Sequence, residues 1–237
     1  QHVGADCNAT VFRSGLWRVV VLDVCRMGFD DVRRASRVPK MLGFRLFPRA
    51  HYVLSVDARL TLNRRPSAIV NELLVAQNKS FLVIQHPKQA GKRSIFDEAD
   101  AVLQQKLASR DDVLRQLERY AADGLPRNHT PAVHEMGFFA YDARHPRVQG
   151  LLCAWFDEYV RGSVRDQLCW SYVAWKLQSQ SLIHSVPYRA FLPSSLKKGQ
   201  HLQKRVGHVP LLCPPQECRP SSSSSAAAAA AHNVLAT

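Results

Sequence analysis

Short runs of apolar residues punctuate the chain and predict buried β-strands. Each run is only five to seven residues long, is rich in β-branched or aromatic side chains, and is bounded by turn-forming or charged residues. The predicted strands are Trp17–Asp23, His51–Asp57, Phe81–Gln85 and Glu135–Tyr141.

Between and after these runs, apolar residues recur at helical spacing. The predicted helices are Met41–Phe47 after a break at Val38–Lys40, Pro66–Gln77, Ser94–Ala122 as two helices interrupted near Ser109–Asp111, Val148–Tyr159 and Val164–Gln178. Strands that alternate with helices predict an α/β fold, with a mostly parallel sheet covered by helices on both faces. In such a sheet, ligands bind beyond the carboxyl ends of the strands.

The same patterns predict the domain organisation. Residues 15–193 are expected to form one domain, preceded by an N-terminal remnant at 1–14. Residues 194–237 are expected to be a disordered tail, because the run Ser221–Ser225 followed by Ala226–Ala231 has too little apolar surface to offset its ordering entropy.

Composition narrows the class of protein. A chain of 237 residues that is 46% hydrophobic can bury one sizeable core. It contains no apolar run of about 18 residues, so no membrane anchor is predicted within it. The net charge of +13 suits an anionic partner. Nucleic acid is not expected, because the basic residues are not interleaved with aromatic ones and no RNA-binding or zinc-finger motif is present.

Asp57 is the first candidate site residue. A carboxylate at the carboxyl end of a buried strand is well placed to hold a divalent cation against a diphosphate. The following text, Asp57-Ala58-Arg59, supplies a cation instead of a second carboxylate, and Arg59 can neutralise phosphate charge directly. The alternative is an aspartate that caps the next turn.

Further candidates surround the next strand end. His86 and Lys88 follow the strand Phe81–Gln85 and can face a pyrophosphate, although a surface turn explains them equally well. Glu98 and Glu135 are candidate substrate-binding residues of the same crevice. For Glu98 the alternative is the ordinary preference for carboxylates in the first turn of a helix.

The last predicted helix opens with Asp166 and Gln167, followed by Trp170. The pair is a candidate catalytic group that orients a sugar, and Trp170 is a candidate stacking surface for that sugar. The alternative for Asp166 is stabilisation of the helix dipole. No GxSxG, HExxH, P-loop or GxGxxG motif is present, which excludes several common enzyme classes.

Several sequence blocks, taken together, resemble one plant and algal family. That family is a glycosyltransferase-like domain, once described as a domain of unknown function, with members linked to seed mucilage and to turgor regulation. The sequence from Glu135 to Gln167 is also similar to glycogenin-like transferases in its order of strand, helix and Asp-Gln pair. The blocks are Gly15–Val20, Asp31–Arg34, Pro39–Leu42, Arg45–Pro48, Tyr52–Arg59, His86–Pro87, Phe96–Ala99 and Arg165–Leu168.

The resemblance implies a GT-A-like fold that lacks the family's first strand here. It also implies hexosyl transfer from a nucleotide sugar to a cell-wall polysaccharide or other glycan, with Mn²⁺ or Mg²⁺ at Asp57. A Golgi or other secretory setting is expected, with the anchor outside this chain. The sequons at Asn8, Asn78 and Asn128 weakly favour that setting.

Two other functions stay open. One member of the family is described as a ceramidase, so amide hydrolysis in a lipid is the first alternative. A non-catalytic module that binds acidic polysaccharide is the second, because the chain is strongly basic. Donor sugar, acceptor, stereochemical outcome and oligomeric state are not predicted.

Overall fold

A computed structural model describes residues 10–14, 17–22, 28–29, 31–58, 60–87, 93–127, 132–188, 191 and 196–198. All of them belong to one compact unit, residues 1–203. The segment predicted to be a disordered tail lies outside the described residues, except for a short strand at 196–198. No helix in the described part is long and apolar enough to cross a membrane.

The described strands form three sheets, of which the central one has four strands. The strands predicted at His51–Asp57, Phe81–Gln85 and Glu135–Tyr141 are confirmed at residues 52–56, 81–85 and 134–142, and all three lie in the central sheet. The predicted strand that begins at Trp17 pairs instead with a preceding strand in a separate hairpin. The strands are β1 (Thr10–Ser14), β2 (Trp17–Val21), β3 (Tyr52–Val56), β4 (Leu60–Leu62), β5 (Phe81–Gln85), β6 (His134–Asp142), β7 (Ile183–Val186) and β8 (Leu196–Lys198).

The helices follow the predicted apolar spacing with one difference. Pro39 lies inside a helix rather than at a break, because proline is tolerated in the first turn, where its missing N–H has no helical partner. The helices are α1 (Val32–Ala35), α2 (Arg37–Met41), α3 (Gly43–Leu46), α4 (Pro66–Val70) with a π-helical turn at Asn71–Val75, α5 (Ile95–Gln104), α6 (Arg110–Ala122), α7 (Pro146–Arg161), α8 (Asp166–Lys176) and a 3₁₀ turn at Ser179–Leu182.

The central sheet is mixed, so the prediction of a mostly parallel sheet is wrong. Its strand order is β3-β6-β5-β7. β6 is antiparallel to both of its neighbours, and β5 and β7 are parallel. The reason is that two successive helices, α5 and α6, separate β5 from β6 and return the chain to the edge where β5 ended. A buried apolar run indicates a strand but does not encode its direction.

Strand direction decides which residues meet at the edge of the sheet. The carboxyl ends of β3 and β5 lie beside the amino end of β6. The Asp57 N–H accordingly donates to the Gly137 carbonyl at 2.8 Å, and the His86 N–H donates to the Val133 carbonyl at 3.3 Å. Side chains that follow β3 and β5 are therefore brought close to those that begin β6.

Both faces of the central sheet are buried. Along β5, Phe81 and Val83 pack against a core formed with helices α5 to α8. The alternate residues Leu82 and Ile84 pack on the other face, in a core that includes residues of α4 and of the following π-helical turn. This alternation of two apolar faces is why β5 is a continuous hydrophobic run.

Arg34 joins the short helix α1 to the end of α7. Its guanidinium donates to the carbonyls of Tyr159 and Val160, both at 3.1 Å, and of Gly162 at 3.0 Å. These carbonyls lie in or just beyond the last turn of α7, where the helix supplies no donors, and a cation there is also favoured by the helix dipole. Arg34 therefore fixes α1 and the adjoining α2 against α7.

We expect Arg34→Met to lower the free energy of unfolding by about 2 kcal/mol, because it removes charge-assisted hydrogen bonds to three carbonyls. Urea denaturation measures the change. Arg33→Met is the matched control, since Arg33 is exposed and its side chain makes one long bond of 3.4 Å to the Leu107 carbonyl. Equal effects of the two substitutions would contradict the assigned role of Arg34.

Candidate active site

A cavity of about 260 Å³ opens at the edge where β3 and β5 end and β6 begins. Its remaining walls come from α2, α5 and the amino end of α8. Six of the sequence-predicted site residues line this cavity: Asp57, His86, Glu98, Glu135, Asp166 and Gln167. Residues from distant parts of the sequence are therefore brought into one site.

Asp166 is a deeply buried carboxylate of the cavity, with its side chain only 7% exposed. It is the first residue of α8, and the side chain of Lys40 donates to its Oδ2 at 2.7 Å. Arg37 Nε lies 3.1 Å from the same oxygen. Burial by itself raises the pKa of Asp166, but the charges of Lys40, Arg37 and Arg165 outweigh it and hold the pKa below its ordinary value. Asp166 is therefore held as a carboxylate.

Lys40 links the two aspartates that the sequence singled out. Its ammonium group is 2.7 Å from Asp166 Oδ2 and 3.9 Å from Asp57 Oδ1, and its side chain is 10% exposed. Asp57 is more open, with 34% of its side chain exposed. The strand end and the helix start are thus joined through one ammonium group.

Glu98 is the centre of a second charged group on the α5 side of the cavity. Arg93 Nε donates to Glu98 Oε2 at 2.7 Å. His86 Nε2 lies 3.9 Å from that oxygen, and an Arg165 terminal nitrogen lies 4.0 Å from Glu98 Oε1. Glu98 itself is buried, so the two arginines offset the cost of placing its charge away from water. The first-turn position of Glu98 therefore does more than stabilise the helix dipole.

Gln167 connects the helix start to the start of β6. Its Oε1 accepts from an Arg165 terminal nitrogen at 3.2 Å, and its Nε2 donates to the His134 carbonyl at 3.3 Å. Nearby, the Gly137 N–H donates to Glu135 Oε1 at 3.1 Å. These bonds fix the orientation of the polar side chains on the cavity wall.

Trp170 lies behind the cavity rather than in it. Its side chain is fully buried, stacked on Phe81 with ring centroids 4.7 Å apart and edge-on to Trp155 at 5.0 Å. Its Nε1–H donates to His134 Nδ1 at 3.2 Å. The aromatic face that was predicted to stack on a sugar is covered by Phe81. Nearly every side of α8 is buried, so helical spacing alone does not identify which of its side chains face the cavity.

Two predicted residues, Arg59 and Lys88, lie outside the described residues. The cavity also contains four cations that were not predicted as site residues: Arg37, Lys40, Arg93 and Arg165. Lys40 and Arg165 fall inside sequence blocks that resemble the family, and their place in those blocks could have identified them as site residues. Arg37 and Arg93 carry no local signal, because an isolated arginine in a polar stretch is typical of a solvated surface.

Comparison with known proteins identifies the same family that the sequence blocks resemble. Residues 4–192 match the family TOD1/MUCI70, glycosyltransferase-like domain. The chain belongs to this family. As a member of it, the chain contains a glycosyltransferase-like domain, which confirms the family expected from the sequence blocks.

Two curated relatives in this family come from Arabidopsis thaliana. "Probable hexosyltransferase MUCI70" is 32% identical over 186 residues, which cover 75% of this chain and 30% of the relative. "Alkaline ceramidase TOD1" is 26% identical over 172 residues, which cover 70% of this chain and 37% of the relative. The chain thus spans about a third of the length of these relatives. No solved structure matches it.

The divalent ion that the family resemblance implies at Asp57 could not be shared with Asp166 while Lys40 holds its present position. An ion ligated by both aspartates would have to take the position of Lys40 Nζ, which already contacts each carboxylate. Asp166 is further neutralised by Arg37. A metal ion needs carboxylates whose charge is available to it, so the described side chains suit a fixed ammonium better than a bridging Mg²⁺ or Mn²⁺.

Proposed function

We propose that this chain transfers a hexosyl group from a nucleoside-diphosphate sugar to a hydroxyl group of a glycan. The observation that supports this most is the ring of fixed charges around the cavity at the ends of β3 and β5. A diphosphate needs cations, and a sugar needs carboxylate and amide acceptors for its hydroxyl groups. The cavity supplies both types of group within one site.

The reaction assigns distinct tasks to the two aspartates. Asp166, which is saturated by Lys40 and Arg37, positions those cations and takes no part in proton transfer. Asp57 is more exposed and accepts the proton of the attacking glycan hydroxyl. The hydroxyl oxygen then bonds to the anomeric carbon, the bond from that carbon to the diphosphate oxygen breaks, and the diphosphate leaves with the electron pair.

Asp57→Asn tests this assignment. We expect the turnover number for transfer to fall by about 10² to 10⁴, the usual contribution of a general base, while the affinity for the donor changes little. Asp100→Asn is the control, because Asp100 is exposed on α5 and makes the same chemical change away from the cavity. A loss of donor affinity with an unchanged turnover number would assign Asp57 to donor binding instead.

The activity itself is tested by incubating the purified chain with a panel of nucleoside-diphosphate sugars and wall glycans. Release of nucleoside diphosphate that depends on the glycan supports transfer. Release of sphingosine from ceramide would favour the alternative suggested by the name of the second relative. The charged lining argues against that outcome, because the long chains of a ceramide need a continuous apolar surface.

A cell-wall polysaccharide as acceptor and a Golgi setting complete the proposal. Asn78, which belongs to one of the three sequons, is exposed in the turn that precedes β5, so its side chain is accessible for glycosylation. If the purified chain instead binds pectin in a salt-dependent way and turns over no donor, the function is binding of acidic polysaccharide.

A further inference from the structure

The chemistry at the cavity depends on how the negative charge of the donor is neutralised. In the proposed reaction, charge builds up on the leaving diphosphate as its bond to the anomeric carbon breaks. Either a bound divalent ion or fixed side-chain cations can stabilise that charge. The positions of Lys40, Arg37 and Arg165 distinguish between these two solutions.

Lys40 is already placed where charge neutralisation is needed. It projects from α2 to the point where the carboxyl end of β3 meets the amino end of α8, and it contacts Asp57 and Asp166 there. An ammonium group that is largely buried and paired with a buried carboxylate has little freedom to move away. It therefore presents a preorganised positive charge at the wall of the cavity.

Two arginines next to Lys40, Arg37 and Arg165, line the cavity wall. Their buried Nε atoms make no hydrogen bond in the described part of the chain. Arg37 Nε is nevertheless paired with Asp166 Oδ2 at 3.1 Å, so its charge is shared with that carboxylate. Among the described residues Arg165 Nε has no such carboxylate beside it, and a buried donor without an acceptor is costly, so an anionic oxygen that reaches it gains a hydrogen bond.

The carboxylates do not offer the complementary arrangement for a metal ion. After β3 the chain reads Asp57-Ala58-Arg59, with a single carboxylate, and the second nearby aspartate is occupied by two cations. Binding of a bridging divalent ion would require Lys40 to leave Asp166. If Lys40 moved away from Asp166, one positive charge would leave the site as the metal ion brought another into it.

We propose that Lys40, Arg37 and Arg165 bind the donor diphosphate directly, so that donor binding requires no divalent metal ion. This inference rests on the proposed function and specifies its leaving-group chemistry. In the transfer step the glycan oxygen bonds to the anomeric carbon and its proton passes to Asp57. The electron pair of the broken bond remains on the diphosphate, where the three cations stabilise it.

Isothermal titration calorimetry of the full chain with UDP and with GDP tests the proposal, once in excess EDTA and once with Mn²⁺. We expect at least one nucleoside diphosphate to bind in EDTA with an affinity that Mn²⁺ changes less than about threefold. Lys40→Met should weaken that binding by about 10-fold to 100-fold, the loss of one charge-assisted contact. Arg115→Met, which removes an exposed cation of α6, is the control and should bind as the wild type does.

Lys40→Met also leaves Asp166 with fewer counter-ions, so a second variant protects the test against misfolding. Arg165→Met removes a cation whose contact to Glu98 is long, 4.0 Å, and should weaken binding to a similar extent. Circular dichroism confirms that each variant is folded. Binding that requires Mn²⁺, or that survives both substitutions, overturns the proposal while leaving transferase activity possible. Absence of nucleoside-diphosphate binding under both conditions overturns the proposed function as well.

Discussion

Asp166→Asn is expected to destabilise the protein by about 3 to 5 kcal/mol, because it removes the counter-ion of Lys40, which is largely withdrawn from water, and of the partly exposed Arg37. The carboxylate is 7% exposed, and Lys40 is 10% exposed. The amide of asparagine keeps the size of the side chain but removes the negative charge beside Arg37 and leaves Lys40 with the more distant Asp57, at 3.9 Å. Urea denaturation at neutral pH measures the loss.

Asp157→Asn provides the matched control for this substitution. Asp157 pairs with Arg161 at 2.8 Å on α7, but both side chains are well exposed, so the pair contributes at most about 0.5 kcal/mol. If Asp166→Asn lowers the free energy of unfolding by no more than Asp157→Asn does, the buried pair is not a stabilising element. Adding Lys40→Met to Asp166→Asn should recover part of the loss, since an apolar side chain tolerates the neutral site.

The effect of Asp166→Asn should also depend on pH. The pKa of Asp166 is lowered in the folded state, so its contribution is present above the ordinary carboxyl pKa and disappears as pH falls through the folded value. Wild type and Asp166→Asn should therefore become more similar in stability in strong acid. A constant difference at all pH values would mean that the charge of Asp166 is not the cause.

The elements of the fold were largely predictable, and their directions were not. The apolar runs that became β3, β5 and β6 each bury side chains on both faces, which is why they are continuous in the sequence. The antiparallel direction of β6 depends on the two-helix connection that precedes it. Its pairing with both β3 and β5 is a long-range property that no local pattern contains.

The candidate site was predictable at the strand ends and at the starts of α5 and α8, whereas its cations were not predicted. Asp57 and His86 could be proposed because a polar residue directly after a buried strand must face the edge of the sheet. Lys40 and Arg93 become significant only when packing places them against Asp166 and Glu98. Before folding, Lys40 is marked only by its place in a block that resembles the family, and nothing distinguishes Arg93 from the many other basic residues in a chain of net charge +13.

The network behind the cavity depends on a neutral histidine. The Trp170 indole can only donate, so His134 Nδ1 must accept from it, and His134 Nε2 then carries the proton and donates to Ser185 Oγ at 3.0 Å. The His134 carbonyl also accepts from Gln167, which ties this network to the cavity wall. A second proton on His134 would set two N–H groups against each other.

Acidification should therefore destabilise the protein through His134. Burial lowers the pKa of His134 from its ordinary value near 6.5 to about 4. Between these two values the unfolded chain binds a proton that the folded chain does not, so the free energy of unfolding falls as pH falls through this window. The expected loss is about 3 kcal/mol by the time pH drops below the folded value.

Urea denaturation between neutral pH and about pH 4, a window set by that pKa shift, tests this coupling in His134→Asn. Asparagine keeps an acceptor for Trp170 but cannot take up a proton, so the variant should be less stable at neutral pH and should lose less stability on acidification. His51→Asn is the control, because His51 is exposed and its removal should leave the acid-dependent loss intact. If His134→Asn shows the same pH dependence as the wild type, the acid sensitivity lies elsewhere, since the imidazole of His134 is the group whose protonation the Trp170 N–H opposes.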